Sequence, residues 1–245
     1  MWDWSTFLHY IVSPYLLIGA GISLAISIGA MALGIVLGIV AALMRMSSKP
    51  WLRQPASIYV WLFRGTPVLV QLIIIYTGLP QIGITLGVTA AALLGLGVNE
   101  GAYLAEIMRA GIASVPKGQF EAARAIGMTW PKMMRIIVFP QAARIILPPM
   151  GNSFNGLMKT SSLASVISLE ELLRRTELLV QVKFKVLELF CVAALYYLIL
   201  TTVWGFIQQW LEARASRSVT SPNAGNRARA ASLAVESATY SRDAS

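Results

Sequence analysis

Polar side chains that could line a transport path lie inside the third long apolar stretch of the sequence. Asn99, Tyr103 and Glu106 are spaced four and three residues apart, so a helix would place them on one face. Glu100 lies beside that stripe. A charged side chain near the centre of a membrane span costs about 2.5 to 3.5 kcal/mol on insertion scales, so such residues normally face an interior or a water-filled cavity. We therefore predict that Asn99, Glu100 and Tyr103 line the path. For Glu106, an ion pair with Arg109 is an equally good explanation.

The fourth apolar stretch is too polar to face lipid and supplies two further candidates. Its small and polar residues are Gly151, Asn152, Ser153, Asn155, Lys159, Thr160, Ser161 and Ser162. Such a segment must be wrapped by other helices or line an aqueous route. Lys159 is the strongest path candidate on physical grounds, and Asn152 accompanies it. The alternative for Lys159 is a structural ion pair with Glu100.

The residues needed for covalent chemistry are missing. Gly151 and Gly156 have the glycine spacing of a phosphate-binding loop, but the lysine and hydroxyl residue that must follow come two places late. With one histidine and one cysteine, the sequence offers no Ser-His-Asp set and no metal-ligand spacing. We predict that the chain is not an enzyme and binds no metal or cofactor.

The composition is that of an integral membrane protein. Hydrophobic residues make up 56% of the 245 residues and charged residues 13%, whereas soluble domains carry about 25% charged residues. The net charge is +9, and the charged residues flank the apolar stretches instead of forming a compact basic domain. We therefore predict contact with membrane lipid and none with nucleic acid.

Five apolar stretches are long enough to cross a bilayer, which takes about 20 residues each. They cover residues 16–43, 58–79, 84–108, 145–169 and 186–211. The second holds Pro67, which predicts a bent helix. The fold class predicted is all-α, with about five transmembrane helices in a domain over residues 1–212. Residues 213–245 turn to alanine, serine and arginine without apolar periodicity, which predicts a disordered basic tail.

The charges between the stretches predict the orientation. With the amino terminus outside, the internal segments carry most of the basic residues, and the loop over 109–144 holds six bases against one acid. The positive-inside rule therefore places that loop and the carboxyl terminus in the cytoplasm.

A short helix is predicted within this loop. Residues 121–126 (Glu-Ala-Ala-Arg-Ala-Ile) are good helix formers, and Gly127 supplies the left-handed residue that a helix end favours. Two turns are too short to be stable alone in water. The methyl-only face of Ala122 and Ala123 would allow another backbone to approach closely. The helix either lies on the bilayer or docks onto a soluble partner.

The loop resembles the signature loop of the permease subunits of ABC importers. The match consists of Glu121-Ala122-Ala123, Gly127, Ile137 and Pro140, with Phe139 where that family usually has leucine. Further motifs, at residues 64–71, 102–109, 118–119, 140–142 and 159–163, resemble the polar amino acid uptake branch. The resemblance implies that Glu121, Ala122, Ala123, Gly127, Ile137 and Pro140 form a coupling loop, whose helix sits in a cleft of an ATPase subunit.

The same resemblance implies the partners and the location. It implies a second permease subunit, identical or paralogous, two ATPase subunits that use the ATP, and an extracytoplasmic solute-binding protein. It also implies a multi-pass protein of the bacterial cytoplasmic membrane that imports a polar amino acid. An ATP-independent channel or secondary transporter would explain the polar spans but not the loop. A membrane-embedded enzyme fits less well, because no catalytic constellation is present.

Overall fold

The computed structural model describes residues 2–217, and all regular structure within that range is helical. The α-helices of this range are Trp4–Ile11 (α1), Pro14–Arg45 (α2), Pro50–Gly65 (α3), Val68–Ile73 (α4), Val88–Ala113 (α5), Lys117–Ala125 (α6), Trp130–Met133 (α7), Phe139–Thr160 (α8), Leu172–Lys183 (α9) and Val186–Arg217 (α10). Short π-helices cover Ile74–Gly78 and Met134–Val138, and 3-10 helices cover Leu79–Ile82 and Ser161–Ile167. The predicted all-helical membrane fold is confirmed.

The membrane spans differ in number from the prediction. Within the described residues, α2, α5 and α10 are long and apolar enough to cross a membrane. The helices on either side of Thr66 and Pro67 make a fourth if they are taken together, although their axes differ by 106°. The predicted fourth span is not among them. It forms the polar helix α8, which ends at Thr160 and continues as a 3-10 helix.

The glycines of α2 allow it to pack closely on α5. A Cβ atom added at Gly34 would lie 3.1 Å from the Cγ atom of Glu100, and one added at Gly38 would lie 2.8 Å from the Cβ atom of Leu104. Backbone atoms of α5 lie within 3.2 Å of both positions. Small residues four apart permit such close crossings in membranes. Helices α3, α4 and α8 also pack against α5, which is therefore the centre of the fold.

Two short helices pack at the end of the bundle opposite α6. Helix α1 precedes the first span and is capped by Asp3, whose carboxylate accepts hydrogen bonds from the backbone and side chain of Thr6. These bonds, with the ammonium group of Lys185 at 3.3 Å, lower the pKa of Asp3 to about 2. Helix α9 lies in the connection between α8 and α10, and Glu171 caps its amino-terminal end by accepting a hydrogen bond from the backbone of Arg174.

The last helix extends past its predicted end. Helix α10 continues to Arg217, so residues 213–217 of the predicted tail are helical. The rest of that tail, residues 218–245, lies outside the described residues.

Candidate functional site

Helix α6 projects from the bundle as the middle of the connection between α5 and α8. It begins after Pro116 and spans nine residues, three more than the predicted core of the helix. Its end is closed by hydrogen bonds from Gly127 N to Arg124 O (2.9 Å) and from Met128 N to Ala123 O (3.0 Å). Gly127 has φ 74°, which is the left-handed conformation that we predicted for it.

Ala122 and Ala123 of α6 do not share an exposed face, contrary to our interpretation. Ala123 is 1% exposed and belongs to the main apolar core, in which Met133 is also buried. Ala122 and Glu121 remain exposed, as does Arg124. The exposed surface of α6 therefore includes the methyl group of Ala122 between the acidic side chain of Glu121 and the basic side chain of Arg124. The methyl group of Ala123 packs in the core and fixes the helix to the bundle.

Ile137 and Pro140 lie on the segment that joins this helix to α8. Ile137 is in the π-helix, partly buried against the core, and Pro140 is in the first turn of α8. Val138 between them is completely buried. The predicted coupling residues thus form one continuous path along the chain from the exposed helix to α8.

A polar cavity of about 340 Å³ lies between α4, α5 and α8. Of the five predicted path residues, Asn99, Glu100 and Tyr103 line it. The other lining residues are Thr66, Pro67, Val68, Leu96, Ser153, Gly156, Leu157 and Thr160. The structure therefore brings together the candidates on α5 with polar groups of α8.

Asn99 also holds the break between α3 and α4. Pro67 has no N–H, so the carbonyl of Phe63 lacks its helical donor. Two side-chain amides replace it: Asn99 Nδ2 donates to Phe63 O at 2.9 Å, and Gln71 Nε2 donates to the same oxygen at 3.0 Å. Gln71 Nε2 also donates to both oxygens of Thr66. These bonds explain how a sharp break is stable inside a bundle.

Glu100 is the acidic residue that lines the cavity. Its residue is 7% exposed, and its carboxylate accepts a hydrogen bond from the hydroxyl of Ser153 on α8. No described residue forms an ion pair with it. The alternative that we considered, an ion pair between Glu100 and Lys159, is therefore wrong.

Tyr103 contacts a basic side chain, that of Arg64. Its ring lies under the guanidinium of Arg64, with 5.3 Å between the guanidinium carbon and the ring centroid. Arg64 is therefore stacked on a cavity residue in a cation–π contact.

Asn152 and Lys159 lie outside this cavity. Asn152 Oδ1 accepts a hydrogen bond from Gln208 Nε2 on α10 at 3.1 Å, so it faces a different neighbour. Lys159 is exposed. Both residues are on α8, but a helix displaces neighbouring residues by about 100° around its axis, and these two point away from the face that bears Ser153 and Gly156.

Glu106 forms two ion pairs at the end of α5 that leads into the loop over residues 109–144. Its carboxylate pairs with Arg109, the contact that we considered, and with Arg45 at the end of α2. Glu106 therefore joins two spans and does not line the cavity. The three-residue spacing along a helix indicates Arg109 as a partner of Glu106. Arg45 is 61 residues away from Glu106 in sequence, so no local pattern indicates that second pair.

Residues 34–217 match the family described as the binding-protein-dependent transport system inner membrane component. The chain belongs to this family. It is therefore a multi-span membrane component of a transport system and not itself an enzyme, and the ATP-independent channel or secondary transporter is not favoured.

Curated members of the family are similar over most of their length. The chain is 40% identical over 206 residues to a probable amino-acid ABC transporter permease, YckA of Bacillus subtilis, covering 84% of this chain and 91% of that protein. It is 37% identical over 233 residues to the arginine transport system permease ArgU of Corynebacterium glutamicum, covering 89% and 74% respectively.

Solved structures of the family share the fold. A chain from the crystal structure of an amino acid ABC transporter with histidines superimposes with a TM-score of 0.81 at 36% identity, covering 87% of this chain and 99% of that one. A chain of the MetNI methionine ABC transporter in an inward-facing conformation gives a TM-score of 0.71 at 21% identity, covering 82% and 97%. The second comparison concerns the fold alone.

Two functional residues were not predicted as such. Gln71 and Ser153 appear in the sequence as ordinary polar residues of apolar stretches. The signal for Gln71 was the nearby proline, because a break frees carbonyls that a polar side chain one turn away can satisfy. Ser153 contacts Glu100 across 53 positions, and nothing local indicates that pair.

Proposed function

We propose that the chain is the transmembrane subunit of an ABC importer that moves an amino acid across the bacterial cytoplasmic membrane. In this proposal α6 lies on the cytoplasmic side and docks into a separate ATPase subunit, which uses the ATP. Relatives named as amino-acid permeases and the structure of an amino acid ABC transporter support the substrate class.

The observation that carries the proposal is the connection from the exposed helix to the cavity. Glu121, Ala122 and Arg124 are exposed on α6, while Ala123 fixes the helix to the core. The chain then passes through Ile137 and Pro140 into α8, which contributes Ser153 and Gly156 to the cavity. A displacement of α6 by an ATPase would therefore move one wall of the cavity.

The complete transporter contains more subunits than this chain. We propose two permease subunits, identical or paralogous, with two ATPase subunits inside and a solute-binding protein outside. Shifting a two-state equilibrium from 1:99 to 99:1 takes about 5.5 kcal/mol of differential binding. Closure of the ATP sites supplies this free energy, since no group of this chain binds ATP in the proposal.

Asn99, Glu100 and Tyr103 form the substrate path in this proposal. Glu100 offers a carboxylate to the amino group of a zwitterion, and the cavity volume of about 340 Å³ suits a small polar solute. Asn152 and Lys159 are assigned no contact with substrate, because they lie outside that cavity.

The test begins with purification of the tagged chain from its native membrane in a mild detergent. We expect an ATPase to copurify, and we expect Glu121→Lys and Gly127→Pro to lose it together with transport. Glu121→Lys reverses the acidic group of the exposed surface, and proline cannot adopt the φ of 74° found at residue 127. The variants should still insert into the membrane.

Glu177→Lys is the matched control, because it reverses a half-exposed carboxylate of α9 that is remote from α6. It should retain the ATPase. Copurification of the ATPase with both loop variants, or transport without any ATPase in liposomes, would refute the proposal.

A further inference from the structure

A long apolar groove separates α2 from the loop-side half of α8. On α2 its wall consists of Ile28, Ala32, Ile35, Ile39 and Leu43, which recur every three or four residues and therefore share one face. The facing wall on α8 has the same pattern and consists of Phe139, Ala143, Ile146, Leu147, Met150 and Phe154. Two matched apolar faces thus border an open space.

The size of the groove fits a lipid chain. Its loop-side part has a volume of about 540 Å³ and the part deeper in the bundle about 340 Å³, and both are lined by Ile35, Leu147 and Met150. From residue 28 to residue 43, α2 rises roughly 22 Å at 1.5 Å per residue. One leaflet of the hydrocarbon core is about 15 Å deep, so an extended acyl chain can lie along the groove.

The groove ends at a positively charged mouth. Arg135 is the charged residue that lines its loop-side part, and Lys132 lies one helical turn earlier. Both side chains are exposed, and neither forms an ion pair with a residue between positions 2 and 217. Trp130 lines the same mouth and is 53% exposed, which is typical of an aromatic residue at a membrane interface.

We propose that this groove binds one anionic phospholipid, with an acyl chain between α2 and α8 and the phosphate at Arg135 and Lys132. The guanidinium of Arg135 can donate two parallel hydrogen bonds to a phosphate, and Lys132 adds a second positive charge. Basic pockets between spans at the inner face of membranes bind anionic headgroups in this way. The bound lipid fills the gap between the first span and the helix that follows the exposed loop.

The groove and the polar cavity lie on different faces of α8. Ser153 and Gly156 line the cavity, whereas Leu147, Met150 and Phe154 line the groove. A lipid in the groove therefore does not obstruct the cavity, and the proposal does not depend on which solute is transported.

The test uses the assembled transporter, purified in mild detergent, stripped of lipid and titrated with phosphatidylglycerol or phosphatidylcholine. Native mass spectrometry counts the bound lipids. We expect one tight phosphatidylglycerol per copy of the chain and weaker binding of phosphatidylcholine. Lys132→Gln and Arg135→Gln should each weaken phosphatidylglycerol binding by roughly fivefold. Arg53→Gln, which removes an exposed charge of α3 away from the groove, should leave it unchanged.

A second pair of variants tests the acyl-chain site. Ala32→Trp fills the groove and should displace the lipid, whereas Val40→Trp enlarges a half-exposed residue of α2 that does not line it. A photo-activated cross-linker at position 39 should capture lipid. Equal binding of the two lipids, equal effects of Ala32→Trp and Val40→Trp, or capture of protein at position 39 would overturn the proposal, the last by showing that a subunit covers the groove.

Discussion

Single side chains that satisfy backbone groups decide the shape of the cavity. The carbonyl of Phe63, deprived of its donor by Pro67, accepts hydrogen bonds from Asn99 and Gln71 at 2.9 and 3.0 Å. These bonds fix the end of α3 against α5 and leave Thr66 and Pro67 on the cavity wall. Asn99 is therefore both a lining residue and a support for the break.

Replacing Gln71 should measure the strength of this support. Gln71 is 6% exposed, and Gln71→Leu removes the two amide N–H groups that Phe63 O and the oxygens of Thr66 share, as well as the oxygen that accepts from Asn99 Nδ2. We expect the free energy of unfolding to fall by about 1 to 3 kcal/mol. Denaturant titration in mixed micelles measures the change.

Gln81→Leu is the matched control, since Gln81 is exposed and its one bond, to Thr77 O, is 3.5 Å long. A surface change of this kind should stay within about 0.5 kcal/mol. Similar losses for both variants would show that the bonds of Gln71 do not hold the break.

Local signals in the sequence predicted individual residues well where the partner is near. Gly127 has the predicted left-handed backbone, and Glu106 pairs with Arg109 three positions away. They failed for Ala123, because its burial depends on Met133 and the rest of the core. Lys159 was predicted to line the path because its stretch is too polar to face lipid, and polarity does not show which side of a helix faces which neighbour.

At the scale of elements, α2 and α5 cross at close range. Leu33 Cβ lies 3.0 Å from where a Cβ atom of Gly97 would be, and Leu104 Cβ lies 2.8 Å from where a Cβ atom of Gly38 would be. Small residues four apart, such as Gly34 and Gly38, are typical of a contact face between membrane helices, but their spacing does not indicate the helix against which they pack. Helix α2 packs on α5 because Gly97 and Gly101 of α5 lie at the same heights as the contact residues of α2. The sequence of one helix alone does not reveal this match.

Enlarging one of these glycines should separate the helices. Gly38→Val would place side-chain atoms too close to Leu104 Cβ and to the backbone nitrogen of Ala105. These atoms can move away only if α5 shifts as a whole. Such overpacking costs about 1 to 3 kcal/mol. We expect this loss in the free energy of unfolding in micelles.

Gly21→Val provides the comparison on the same helix, because nothing lies within 4 Å of a Cβ atom added there. The same substitution should then be nearly neutral. A comparable loss at residue 21 would mean that the cost reflects the helix itself and not its crossing with α5.

At the scale of the whole molecule, α2 and α5 act as one body to which the other helices attach. The glycine crossing joins them along much of their length, and the pair of Glu106 with Arg45 joins their loop-side ends. Helix α8 contacts α5 where Ile146 packs on Gly111 and where Ser153 donates a hydrogen bond to Glu100. Because α6 leads into α8, motion driven by α6 should occur between α8 and this body.

A disulfide within the body should not impede transport. Leu33→Cys with Gly97→Cys would join α2 to α5, because the two Cβ positions are 3.0 Å apart and a small adjustment reaches the roughly 3.5 to 4.5 Å of disulfides. Cys191→Ser removes the native thiol. We expect equal uptake in liposomes before and after oxidation. Loss of uptake on oxidation that a reductant restores would show that the two helices must move apart.

The close crossing of α2 and α5 also bears on how this chain can change over evolutionary time. Gly34 and Gly38 of α2 leave room that residues of α5 occupy, so a gain of volume on one side is tolerated only with a loss on the other. Positions 34 and 38 should therefore vary together with positions 97, 101 and 104 among related sequences. Position 21, which faces open space on the same helix, should vary independently of all of them.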